Sequence, residues 1–559
     1  MSDRTAHLPR TNLLLTLLCG VLLLYFPWEG RPLWEILYAD DVISYPVFLA
    51  LALSLFLPDR GRIPYRKVLA RIGEHPGAIG LSVFAALSLL SPLIYQGRPL
   101  STDEYLLWFQ AHTFAQGKLF ATYPREWLHH LLISPDLFLT DWGKGTILSP
   151  YWPGFSLLLA PFAALGVPWM CNPALTGLSV FLLAAIAREL FAESETRGAV
   201  LLLALASTCF LLNGVTFYAM PAHLLFNALF TWLVVRPSTG RLFLAGVAGS
   251  VALVLHNPLP HILYATPWAL WLLFRRPFDW KQPTALLAGY LPLSLILGVG
   301  WAILRLNSSC PLPCGGALPA APIAANSTAG LSAFATSAFV LPNLDILEWR
   351  TVGFVKLVLS SAPALILLAC IAPVTKDVRL RCLAASALLT LAGYFFIPFD
   401  QGFGWGNRYF HPAWLTLPLL ATATLQGWTR TAPESPSYNK VMRAALLCLI
   451  TLVPTKALIM YFHTKEHWSH LPPHTGASSE IIFKNSYGNW GLFLVQNPPD
   501  LSGAPTIFVS LGRRRDIEFL RTNFPDAKFI GSNLYGTTYQ LPPSQTPRQR
   551  LQEASIKRD

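Results

Sequence analysis

Apolar residues in this chain come in long runs, not in the one-sided stripes of a soluble helix. A stripe faces a core; a run apolar all round lies in lipid or deep in a bundle. A bilayer span needs about 17 to 25 such residues. On this pattern the chain predicts thirteen spans, near 11–27, 43–57, 77–95, 172–190, 199–215, 220–235, 241–256, 260–274, 284–304, 352–372, 380–397, 411–427 and 441–460. Residues 153–167 are also apolar, but the stretch is short and contains Pro161. Counting it as a span would reverse the side of every later loop. It reads as an interfacial or re-entrant helix.

Polar sequence between the runs is unequally divided. Residues 96–152, 305–351 and 461–559 are long segments, whereas the connections on the opposite side after residue 76 are short. In the last segment Thr506 to Leu511, Ala527 to Ile530 and Thr537 to Leu541 read as strands. Asp516 to Phe524 reads as a helix ended by Pro525, giving a small α/β unit. Beyond Pro542 the sequence is polar and is expected to be disordered. The expected division is 1–76, an N-terminal hairpin of spans with a basic loop; 77–460, the main membrane domain carrying the loops 96–152 and 305–351; and 461–559, the α/β tail.

Composition agrees with the pattern. Only 13% of the 559 residues are charged and 53% are hydrophobic. Soluble domains carry about 25% charged residues, so this is a membrane protein. The net charge of +12 gathers in short loops: Arg60, Arg62, Arg66, Lys67 and Arg71, then Arg188 and Arg197, Arg275, Arg276 and Lys281, and Lys376, Arg379 and Arg381. Such loops stay cytoplasmic, so the loop after residue 95 and the tail face outward. No basic patch interleaved with aromatics suggests nucleic acid. Arg4 and Arg10 precede a first apolar run with no small-residue cleavage site, which reads as a retained anchor.

Six cysteines lie in or beside apolar runs and read as small buried residues. Cys310 and Cys314 face an oxidising compartment, where a disulfide would constrain little chain. Asn307-Ser-Ser and Asn326-Ser-Thr match glycosylation sequons.

The chemistry centres on residues 101–117, Ser-Thr-Asp-Glu-Tyr-Leu-Leu-Trp-Phe-Gln-Ala-His-Thr-Phe-Ala-Gln-Gly, directly after the span 77–95. Ser101 with Glu104 fits a capping box, and Gly117 can end the helix. Asp103 and Glu104 then stand at the membrane surface, where a carboxylate can act as a base. The loop continues through Glu126, His129, His130, Asp136, Asp141 and Lys144 to Tyr151-Trp152-Pro153-Gly154. His223, His256 and His261 sit at outward span ends, as structural hydrogen-bonding residues or as the lining of a polar cleft. Arg408 starts a span, either as an interfacial anchor or as a two-donor phosphate holder. His463, His467, His470 and His474 have helical spacing, but Pro472 and Pro473 interrupt it, and the sequence predicts no metal site there.

Asp103-Glu104-Tyr105, Gln110-Ala111, Gly117-Lys118-Leu119 and Tyr151-Trp152-Pro153-Gly154 together resemble the GT-C superfamily of polyprenyl-phosphate-dependent glycosyltransferases. The nearest look is to its bacterial branch of protein mannosyltransferases and lipid A aminoarabinose transferases. The resemblance covers residues 77–275 best, with support from Asn407-Arg408-Tyr409-Phe410-His411-Pro412. It implies an all-α polytopic membrane fold of about thirteen spans with a small extracytoplasmic α/β domain. It implies an essential acid in the first outward loop, carried over to Asp103 and to Glu104. Lys144, Tyr151, His223, His256, Arg408 and His411 are the expected substrate-binding residues. The chain departs from the family in two extra spans before the one leading to Asp103, and it lacks the Trp-Trp-Asp-Tyr-Gly motif of oligosaccharyltransferases.

The function implied is transfer of one sugar, hexose or pentose, from a polyprenyl-phosphate donor to a lipid, glycan or protein at the outer face of the inner membrane. No cofactor is called for with certainty, and a divalent metal stays open. Two rivals remain: a flippase for lipid-linked sugars and a structural membrane subunit. Charges clustered at outward span ends, and no inverted repeat, favour the enzyme.

Overall fold

The computed structural model describes residues 2–25, 32–59, 64–132, 138–307, 340–401, 404–431, 436–487 and 491–556. Cys310, Cys314, Asp136 and the sequon at Asn326 lie outside them, and nothing of the Asn307 side chain is described. The chain forms two units: Met1–Tyr95, Trp169–Gly298 and Phe339–Tyr461 make the first, and Gln96–Pro168, Val299–Ala338 and Phe462–Asp559 the second.

The first unit is helical. Six helices among the described residues of the chain are long and apolar enough to cross a membrane, including Pro76–Tyr95, Pro168–Leu190 and Lys281–Leu304. A seventh arises if Ser194–Leu205 and Thr208–Val215, bent by 69°, count as one span. Met220–Val234, Thr239–Val254 and Leu259–Phe274 are apolar but shorter. With no hydrophobic force between helices in lipid, close backbone contact must hold them together, and small residues permit it. A Cβ on Gly198 would lie 1.9 Å from the Leu69 carbonyl oxygen, and one on Gly246 2.1 Å from that of Leu286. The first contact seats Tyr65–Glu74, an amphipathic helix in the basic loop that the run pattern does not show.

Two expected spans are not continuous. The stretch 199–215 breaks where Ser207 precedes a new helix, and Ser207 Oγ donates to the Leu203 carbonyl at 2.9 Å. The stretch 352–372 divides into Leu344–Leu359 and Leu365–Cys370, separated by Ser360 and Ser361 and by Ala364 at φ 68°. Serine hydroxyls offer the backbone local alternatives to the helix ladder, and a residue at positive φ cannot continue it. Cys370 is exposed, unlike the five other described cysteines.

Charged side chains are buried here as well. Asp40, Asp41, Lys356 and Lys456 are buried together in the first unit. The ammonium of Lys356 lies 2.7 Å from Asp41 and 3.3 Å from Asp40, and that of Lys456 lies 2.5 Å from Asp41 and 3.5 Å from Asp40. Two carboxylates and two ammonium groups cancel, which is what makes their burial tolerable.

The second unit is built on the helix Thr102–Ala115 and two sheets. The smaller sheet orders Ala121–Thr122, Thr146–Leu148 and Leu139–Asp141, all antiparallel. The larger orders Thr506–Val509, Glu480–Lys484, Gly536–Gln540 and Lys528–Asn533, with the first pair parallel. Tyr105, Phe109 and Trp127 share one core with Phe483, Phe508 and Phe519. The first outward loop and the tail thus fold together, and Tyr105 and Tyr123 donate their hydroxyls to the carbonyls of Asn497 and Pro499 at 3.0 and 2.8 Å. The three expected tail strands and the helix, Arg513–Asn523, are present. Residues 543–556, expected to be disordered, are ordered: Pro547–Ile556 is a helix, and Thr546 and Gln549 exchange hydrogen bonds in a capping box at its start. Residues 153–167 contain the helix Gly154–Ala164, which packs on Thr102–Ala115.

Candidate active site

Ser101 caps the helix Thr102–Ala115 by accepting the Glu104 amide, and Glu104 Oε2 accepts the Ser101 amide at 3.0 Å and the Leu100 amide at 3.1 Å. Glu104 is fully buried in this box. At the other end Gly117 takes a left-handed φ of 72°, and its amide donates to the Phe114 carbonyl at 2.9 Å.

Asp103 is half-buried and stands outside the capping box. Its Oδ1 accepts a hydrogen bond from the Tyr151 hydroxyl at 2.5 Å. That bond fixes the direction of one carboxylate oxygen, which suits a base. Lys144 does not join this pair: its side chain is 78% exposed and its ammonium lies 3.8 Å from Asp141 at a sheet turn. A solvated ion pair of that kind contributes little.

The first unit holds the remaining expected residues. Arg408 is buried, not spread along the surface as an interfacial anchor would be. Its guanidinium lies 4.0 Å from the centre of the Tyr218 ring, and Nη1 donates to the Gln401 carbonyl at 2.7 Å. His223 is fully buried, with His256, His261 and His411 within electrostatic reach. Neither ring nitrogen of His223 meets a partner among the described residues. His261 is structural: its nitrogens lie 2.7 Å from Asn227 Oδ1 and 2.7 Å from the Tyr290 hydroxyl. His256 Nδ1 lies 2.7 Å from Asn257 Nδ2. A cavity of about 280 Å³ nearby in sequence is lined by Arg350, Tyr394, Gln401, Asn407, Tyr409 and Phe410. Arg350 spends its donors on the carbonyls of Tyr394, Ile397 and Phe399.

Among the described residues, no three or more His, Cys, Asp or Glu side chains are gathered as a metal would need. Of the tail histidines, His467 packs on Trp468 and His470 on Tyr535. The sequence reading missed the buried quartet of Asp40, Asp41, Lys356 and Lys456 and the partnership of Tyr151 with Asp103. A pair of adjacent acids inside an apolar stretch was the available signal for the first. The second links residues far apart in the chain and leaves no local signal.

The fold is that of a polytopic helical membrane protein carrying a mixed α/β unit. It is shared with the crystal structure of ArnT from Cupriavidus metallidurans bound to undecaprenyl phosphate. That match has a TM-score of 0.50 and 10% identity, and covers 83% of this chain and 98% of that one. The apo state of the same protein gives a TM-score of 0.49 at the same identity and coverage. The likeness is one of fold, and at the level of a polytopic helical membrane architecture it agrees with the resemblance at Asp103-Glu104-Tyr105. No known protein family matches the chain by sequence, and no curated protein does.

Proposed function

We propose that this chain is a membrane glycosyltransferase that passes one sugar from a polyprenyl-phosphate donor to an acceptor hydroxyl on a lipid, glycan or protein. The observation that carries the reading is the division between two neighbouring acids. Ser101 and Glu104 complete the helix cap, so capping does not account for Asp103, which Tyr151 holds in place.

A sugar on a lipid phosphate is already activated. The acceptor oxygen forms a bond to the anomeric carbon as the bond from that carbon to the phosphate oxygen breaks. The hydroxyl proton passes to Asp103, and the electron pair departs on the polyprenyl phosphate. A single displacement inverts the anomeric centre. Arg408 is the cation for the phosphate, with His223, His256 and His411 as further donors and the cavity beside Asn407 and Tyr409 suited to an isoprenoid segment. The fold shared with a protein seen bound to undecaprenyl phosphate supports this carrier. The reading includes thirteen spans, an inner-membrane location, the division at residues 76 and 460, and Asp103 on the extracytoplasmic side.

A flippase is the second reading. The 69° bend in the pair Ser194–Leu205 and Thr208–Val215 favours it, since carriers use broken helices. Loss of the gene separates the two. A transferase deficit accumulates lipid-linked monosaccharide on the outer leaflet, as we expect; a flippase deficit strands it on the inner leaflet and would overturn the proposal.

A further inference from the structure

We propose that Tyr151 is a positioning residue for the Asp103 carboxylate. The inference rests on the reading of Asp103 as the base and deepens it. Forty-eight residues of chain separate the two, so their contact is assembled by other groups.

Gln110 begins that assembly. Residues 103, 107, 110 and 114 share one face of the helix Thr102–Ala115. Gln110 Oε1 accepts the Ser149 amide at 3.0 Å, while its Nε2 donates to the Leu119 carbonyl at 2.8 Å. The Ser149 hydroxyl then accepts the Tyr151 amide at 3.3 Å. On the far side the indole nitrogen of Trp301 donates to the Tyr151 carbonyl at 3.0 Å, and Trp301 packs edge-on against Phe114 at 6.0 Å between ring centres. Both backbone polar groups of Tyr151 are therefore engaged, one from the helix side and one from Trp301. The phenol is placed independently of the carboxylate it meets.

A base must be held to within about 0.5 Å of its working position. An aspartate in a first helical turn rotates freely about its side-chain bonds unless something holds an oxygen. The phenol holds Oδ1, and as a neutral donor it stabilises the charged form without neutralising it. Glu104 beside Asp103 is turned into the helix cap. The helix Gly154–Ala164, packed on the same helix, carries no ionisable side chain, and Trp301 brings none.

The test needs no knowledge of the sugar. The full chain in nanodiscs is treated with a water-soluble carbodiimide and glycine amide, which modify protonated carboxyl groups. Modification of Asp103 is followed against pH by mass spectrometry. Tyr151→Phe keeps the ring and removes the donor, so the midpoint for Asp103 moves up by about one pH unit. Trp301→Phe, which frees the Tyr151 carbonyl, moves it in the same direction by less, and it carries the test should Tyr151→Phe fail to accumulate. Midpoints equal to wild type overturn the proposal. If Asp103→Asn still transfers sugar, the base reading fails while a shifted midpoint stands; if Asp103→Asn is inactive and the midpoint is unmoved, only the role of Tyr151 fails.

Discussion

Two carboxylates share the first turn of the helix Thr102–Ala115 and do different work. Glu104 lies three residues after Ser101, the spacing at which a side chain can return to the cap amide. Asp103 lies one residue too early for that box and is taken by Tyr151. The cap was legible because its partners are local; the hold on Asp103 was not, because Tyr151 arrives through Gln110, Ser149 and Trp301. His130 shows the same limit. Its Nδ1 lies 2.9 Å from the Val509 carbonyl, joining the first outward loop to a tail strand. Burial holds this imidazole below its ordinary value of 6.5, although the Val509 carbonyl and Asp516 pull the other way. The unfolded chain therefore takes up the proton first as the pH falls. The stability that comes with burying the neutral ring is full above about 6.5 and is lost as the pH drops through the lower folded value. Hydrogen exchange of Thr506–Val509, corrected for intrinsic rate, should quicken from pH 7 to pH 5 in wild type. In His130→Gln it should lose that slope; a retained slope would place the titrating group elsewhere.

At the scale of elements, apolar runs located the helices well and their interruptions poorly. Run length reports burial in lipid, whereas the breaks at Ser207 and at Ser360 to Ala364 depend on hydroxyl bonds and one left-handed residue. The strand Glu480–Lys484 escaped because all five residues are buried, including its two charged ends, so no alternation shows. The helix Pro547–Ile556 had a signal, Thr546 with Gln549, that polarity masked. The quartet ties three helices, Pro32–Ser54, Leu344–Leu359 and Leu452–Ser469, through buried groups. Removing one cation leaves buried carboxylate charge uncompensated, which costs about 3–5 kcal/mol. Lys356→Met should lower the unfolding temperature in detergent sharply, and adding Asp40→Asn should restore most of it. Equal stability of Lys356→Met and wild type would mean that the quartet does not hold these helices.

At the scale of the molecule, sequence gave the class and the structure gave the partnership. A low charged fraction and long apolar runs already required a membrane protein. That residues 96–168 and the tail build one core was not legible, because Trp127 and His130 meet Phe508, Phe519 and Val509 across more than half the chain. The shared fold with ArnT concerns the architecture; the proposed chemistry rests on Asp103. Single-turnover sugar transfer by Asp103→Asn, with a polyprenyl-phosphate sugar as donor, is the most direct test. Loss of the base should cut the rate by about a hundred- to ten-thousand-fold while the protein stays folded. Glu104→Gln should show the reverse balance, with about 1 kcal/mol of stability lost and transfer largely kept. A folded Asp103→Asn protein that transfers sugar at the wild-type rate would contradict the account.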